Sequence, residues 1–171
     1  MGKILAWILF LLAAAAFAAS LTLHVAMYFD VVVTDRWPLA WGVYVLVFLL
    51  TAYGVTDAQA RTGAKGKAPF FTAFDPSAQS VAEIAAGILL IYALLVFAMG
   101  FLEPREGNLN RVEGRPVLSE KGKVIRELTE REYVHLKAAQ MRGFSAILLC
   151  FSGVSALEML SLVLLEKKKN A

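Results

Sequence analysis

The chain has 171 residues, 58% of them hydrophobic and only 18% charged. A water-soluble domain of this size carries more charge and less apolar surface, so the composition argues against an ordinary soluble fold. The net charge of +3 is small, and the basic residues gather in loops and at the C-terminus, so they read as membrane flanks before nucleic-acid contacts, and no nucleic-acid partner is expected.

The apolar residues fall in four blocks separated by polar stretches, the pattern of a polytopic membrane protein. The expected fold is all-α integral membrane: one domain over residues 1–171, built as a four-helix transmembrane bundle. Its spans are about 4–27, 38–55, 81–102 and 143–165, each near the ~20 residues that a ~30 Å hydrocarbon core requires. A small hairpin-plus-helix extramembrane segment, 103–142, separates the third and fourth spans.

The first block runs from Ile4 to Met27 with His24 as its only ionisable side chain. Lys3, the apolar run and Ala16-Phe17-Ala18 resemble a signal peptide with a small-residue cleavage site. The apolar stretch continues through Leu21, Leu23, Val25 and Met27, however, and exceeds the usual signal core of about 7–15 residues, so an uncleaved helix is expected. The second block, Pro38 to Val55, is uncharged. Pro38 suits a first helical turn, where a missing N–H is no loss, and Trp37, Trp41 and Tyr44 fit an interfacial aromatic belt.

Between the second and third blocks, Thr62 to Lys67 looks like a phosphate loop but fails as one. Arg61 stands where glycine is needed and Ala68 replaces the Ser or Thr. A basic loop near anionic headgroups is expected instead, seated by Phe70, Phe71 and Phe74. Asp75-Pro76 reads as an N-cap and first helical position ahead of the third block.

The 103–142 segment begins with Pro104, Gly107, Asn108 and Asn110, read as an irregular exit from the third span. Arg115–Ser119 and Lys123–Arg126 flank Glu120-Lys121-Gly122 and predict a hairpin with glycine in the turn. Thr129-Glu130-Arg131-Glu132 matches the capping box, with Leu128 and Tyr133 at the positions of a hydrophobic staple. A helix is therefore expected from Glu130 to about residue 166, its first part projecting from the membrane with Tyr133, Leu136 and Met141 on an incomplete apolar face. Those three are the candidate partner-docking residues.

Two carboxylates lie inside spans, where charge is costly and tends to face protein or a wet cavity. Glu83 sits early in the third block and Glu158 late in the fourth, towards the same side of the membrane, and together they form the candidate intramembrane polar site. His24 and His135 make a weak pair, too far apart in sequence to argue for metal or haem, and Cys150 is expected to pack. Ala82/Ala86 and Ser152/Ala156 have the small-xxx-small spacing that lets helices approach closely in lipid.

No motif names a reaction, and no catalytic residue, metal or cofactor is assigned. The expected partners are the lipid bilayer and a membrane protein or second copy of the chain. The termini share a side with Lys3, Arg61, Lys65, Lys67 and Lys167–Lys169, while the short 28–37 loop carries only Arg36. By the positive-inside rule both termini are expected to be cytoplasmic, in a bacterial inner membrane, although the 103–142 segment brings nine Lys/Arg to the other side. The functional expectation is a non-catalytic accessory or assembly subunit of a larger membrane complex. The alternative is a small proton- or ion-coupled transporter using Glu158 and Glu83, with a polar cavity between the third and fourth helices.

Overall fold

The computed structural model of the chain describes residues 3–32, 38–62, 71, 74, 76–102 and 107–169. The elements in chain order are α1 (Lys3–Tyr28), α2 (Pro38–Thr62), α3 (Pro76–Leu102), β1 (Asn108–Val112), β2 (Arg115–Glu120), β3 (Lys123–Glu127) and α4 (Glu130–Lys169). Among the described residues three helices are long and apolar enough to cross a membrane, over Ile4–Tyr28, Pro76–Gly100 and Glu130–Lys167; α2 holds a shorter apolar stretch, Gly42–Asp57. Trp37, Phe70, Asp75 and the segment from Gly63 to Ala68 lie outside the described residues.

α4 organises the helices. It has 40 residues, roughly 60 Å at 1.5 Å per residue, and it packs against each of the other three. α1 offers it a stripe of buried positions, Ala6, Ala13, Ala16, Ser20, His24 and Met27, most of them small. Small residues of this kind allow close backbone approach where lipid removes the hydrophobic drive for helix association. Two α4 glycines work the same way. A Cβ on Gly153 would fall 2.7 Å from Leu89 Cδ1 of α3 and 3.3 Å from the Phe17 ring of α1, and one on Gly143 would fall 3.3 Å from the Cα of Phe97.

Three apolar clusters follow. Ala13, Leu50, Met159 and Leu162 join α1, α2 and α4, and Ala16, Val47 and Leu148 repeat that junction further along. Ala93, Ala146 and Cys150 join α3 to α4, where Cys150 serves as a small packing residue. The backbones of α2 and α3 do not approach each other among the described residues, so one flank of α4 is left open between them.

The expected hairpin is a three-stranded antiparallel sheet in the order β1-β2-β3. The correction concerns residues 108–112, read from sequence as an irregular exit, which pair with β2 from Asn108↔Ser119 to Val112↔Arg115. The cause is a second tight turn. Glu113 and Gly114 have φ of 52° and 80°, and Lys121 and Gly122 have φ of 49° and 81°. Both two-residue turns therefore carry positive φ at both central positions, as a hairpin matched to strand twist requires. Between β2 and β3 the register shifts, leaving Ile125 as an extra residue opposite the Leu118–Ser119 step.

The sheet rests on the start of α4 through Leu118, Leu128 and Tyr133, with Leu109 and Val134 against them. The capping box forms as its sequence requires. Thr129 N–H donates to Glu132 Oε2 at 2.8 Å, and Glu132 N–H donates to Thr129 Oγ1 at 3.2 Å.

Candidate functional site

The sequence candidates are divided by the fold. Glu158 is 2% exposed. Its Cγ lies where a Cβ on Gly54 would approach to 3.0 Å, so a glycine on α2 makes room for it. Its Oε2 accepts a hydrogen bond from the backbone N–H of Phe71 at 3.0 Å. One turn earlier on α4, Ser155 bonds Thr51 of α2 at 2.7 Å. Glu158 thus belongs to a polar seam between α2 and α4, with about 10 Å³ of open space beside it.

Glu83 lies elsewhere. It is exposed on α3, and its Oε1 accepts from Gln79 Nε2 at 2.9 Å. The structure does not bring the two carboxylates together, because depth along two helices says nothing about the rotation of each about its own axis.

The docking candidates also separate. Tyr133 is buried under the sheet, with the Arg111 guanidinium 4.7 Å and the Lys137 ammonium 5.5 Å from its ring centroid. Leu136 is 36% exposed, and Met141 is half-buried. Of the three, Leu136 alone presents substantial surface.

The most developed polar cluster was not singled out by sequence. His24, 3% exposed, holds two partners from other helices: Tyr92 OH at 2.6 Å from Nε2 and Ser145 Oγ at 2.8 Å from Nδ1. The Ser145 hydroxyl spends its proton on the Arg142 carbonyl at 2.9 Å. Nδ1 must therefore donate to Ser145, and in a neutral imidazole Nε2 then accepts from the Tyr92 hydroxyl. Tyr28 OH, 3.4 Å from Tyr92 OH, completes a chain with one direction, from Tyr28 through Tyr92, His24 and Ser145 to the Arg142 carbonyl. It ends on a helix carbonyl, so its work is to tie α1, α3 and α4 together.

Just beyond it lies a charged knot. Asp30, in the left-handed region at φ 57°, closes α1. His135 Nδ1 is 2.9 Å and Arg142 Nη2 3.6 Å from its carboxylate oxygens. Arg142 Nε donates to the Met27 carbonyl at 3.2 Å, and its guanidinium lies 5.0 Å from the Tyr28 ring centroid. A cleft of about 480 Å³ opens beside the knot between α1, β1 and α4, edged by Asp30, Arg111, Tyr133 and Lys137. Arg111 is held in a two-pronged pair with Glu130, 2.8 Å at each contact, which keeps the Glu130 carboxyl below its usual range. The backbone N–H of Thr129, its hydroxyl and Arg126 hold Glu132 down to about 2. His24 and His135 thus serve separate clusters, and among the described residues no group of three or more His, Cys, Asp or Glu is placed to hold a metal ion.

The third feature is an apolar groove of about 440 Å³ on the open flank of α4. Tyr44, Phe48 and Thr51 of α2 form one wall and Phe144, Ile147 and Phe151 of α4 the floor. Phe97 of α3 packs edge-to-face on Phe144 at the rim, centroids 5.9 Å apart. Phe48, Phe144 and Phe151 are each at least half exposed. Sequence had supplied Tyr92, Ser145 and Thr51 only as members of apolar blocks; their pairing across 68 to 121 residues left no local signal.

Comparisons with protein-family models, curated proteins and solved structures find no match to this chain.

Proposed function

We propose that this chain is a four-span membrane protein acting as a non-catalytic accessory or assembly subunit of a larger membrane complex. The observation that carries the reading is the groove between α2 and α4. A membrane bundle closes by packing helices side by side, and here α2 and α3 lie apart on α4, leaving a row of α4 (Phe144, Ile147, Phe151) only partly covered among the described residues. The occupant proposed is one transmembrane helix of a partner protein. The polar interior supports a structural role, since His24, Tyr92, Ser145 and Glu158 each bond another element of the same chain. The lysine-rich ends and short loops favour a bacterial inner membrane with both termini cytoplasmic.

The test is capture of the tagged full chain in mild detergent, with and without Ala52→Trp, which fills the groove from α2. The reading expects a stoichiometric membrane protein with the native chain and its loss from the Trp variant, with the variant still inserted and folded. A chain that purifies alone, or with only lipid in the groove, refutes it. Leu136→Ser probes the projecting part of α4 in the same assay; Tyr133 is unsuitable because its removal would undermine the sheet.

A second reading, a proton- or ion-coupled carrier, draws on the buried carboxylate of Glu158. The small space beside it and the outward position of Glu83 give this reading less support. A proton-linked flux abolished by Glu158→Gln would establish it over the first.

A further inference from the structure

Glu83 has no role in the polar interior, yet it lies within the apolar stretch Pro76–Gly100 of α3. Its side chain is exposed, and among the described residues its one hydrogen-bond partner is Gln79, one turn back on the same helix. A carboxylate at that depth ordinarily turns inward to protein or to a wet cavity. Glu83 turns outward.

The residues sharing its side of α3 give the reason. Glu83, Gly87, Leu90, Leu94 and Phe97 recur at intervals of 4, 3, 4 and 3, a single row along a helix. Leu90 and Leu94 are 52% and 56% exposed. The row ends at Phe97, whose ring packs on Phe144 at the rim of the groove. The exposed side of the row is therefore continuous with the open flank of α4. Gly87 is the second clue. A glycine inside a helix costs about 1 kcal/mol relative to alanine, and among the described residues no other element lies within 4 Å of where its Cβ would be. Ser80, one turn to the other side of Glu83, is also small. Small residues on either side of an acid form a notch that admits a second backbone, with the carboxylate at its centre.

We infer that the partner helix received by the groove runs on along this row of α3 and carries a lysine or arginine that pairs with Glu83. The inference rests on the subunit reading above and adds the chemistry of the partner. In the groove the contacts are apolar and set no register; at Glu83 a charge pair fixes the height and orientation of the incoming helix.

The experiment places a photoreactive phenylalanine analogue at Leu90, on the row, or at Ile88, exposed on the other outward side of α3, in the tagged full chain in its native membrane. The cross-linked protein is identified by mass spectrometry. Support requires three results together. A cross-link forms at Leu90 and not at Ile88; the captured span contains a Lys or Arg; and its yield falls at least about tenfold in Glu83→Leu and returns when Glu83→Lys is paired with the partner's basic residue changed to Glu. Glu83→Gln, which disturbs insertion least, gives an intermediate loss. A partner whose capture is indifferent to Glu83 overturns the inference and leaves the subunit reading standing. A cross-link to a second copy of this chain through Leu90 also overturns it, since acid would then face acid. No protein cross-link at either position, with Ala52→Trp without effect, overturns both.

Discussion

Replacing Tyr92 with Phe removes one oxygen from the chain that links three helices. The ring stays, so packing against His24, with centroids 5.6 Å apart, is retained. What is lost is the 2.6 Å bond to Nε2 of a 3% exposed imidazole and the longer 3.4 Å contact with Tyr28. A buried acceptor without a partner costs about 1–3 kcal/mol, whereas hydrogen bonds between membrane helices average about 0.6 and reach about 1.7 kcal/mol, because the unfolded reference in lipid also finds partners. The short distance and the burial of His24 place this bond in the upper part of the membrane range, so a loss of about 1–1.5 kcal/mol is expected. A double-mutant cycle with His24→Leu isolates the pair, and its coupling should be about 1 kcal/mol, near a fivefold change in the unfolding constant. The assay is reversible unfolding by SDS titration in mixed micelles, followed by far-ultraviolet circular dichroism and tryptophan fluorescence. A coupling below about 0.3 kcal/mol would refute the assignment of a working bond between His24 and Tyr92.

Three further outcomes are expected. Gly153→Val should destabilise the bundle by about 1–3 kcal/mol through overpacking against Leu89 and Phe17. Gly153→Ala should be close to neutral, because the flexible end of Leu89 can yield and the helix gains about 1 kcal/mol of propensity; Leu89→Ala should partly rescue the valine variant in the same titration. Glu158→Leu strands the Phe71 N–H and should cost about 1–3 kcal/mol, while Glu158→Gln, which keeps an acceptor, should cost clearly less; thermal unfolding in detergent separates them. The Glu132 carboxyl is depressed from 4.5 to about 2 in the folded chain, so its contribution is full above about pH 4.5 and is lost as pH falls towards 2. Hydrogen-exchange protection in residues 107–135, the observed rate corrected for the intrinsic rate at each pH, should therefore fall over that interval, and Thr129→Ala should remove most of the dependence.

Much of the architecture was legible because it rests on local chemistry. The apolar blocks mark the helices, and Thr129 with Glu132 marks the start of α4 to the residue. The third strand was legible in principle. Glu113-Gly114 is the same kind of turn as Lys121-Gly122, but the polar run Asn-Leu-Asn-Arg before it masked the strand. The site was not legible. Tyr92 and Ser145 read as ordinary members of apolar blocks, and they acquire a role only when α3 and α4 are set against His24. Depth gave Glu83 and Glu158 a shared level; rotation about the helix axis, which sequence leaves open when a helix is apolar all round, sent one outward and one inward. Tyr133 looked exposed because the sheet that covers it was only two-thirds foreseen.

The central position of α4 has a consequence for how the molecule is made. α1, α2 and α3 leave the ribosome before it, and among the described residues α3 has its backbone neighbour in α4 alone. Until α4 is added, α1 and α2 can pair but α3 lacks its neighbour, and the hydroxyl of Tyr92 and the imidazole of His24 lack Ser145 to complete their chain. Joining of α3 to the rest is then a late event that waits for the last helix. In chains arrested before residue 130, α3 should therefore remain undocked until that helix arrives.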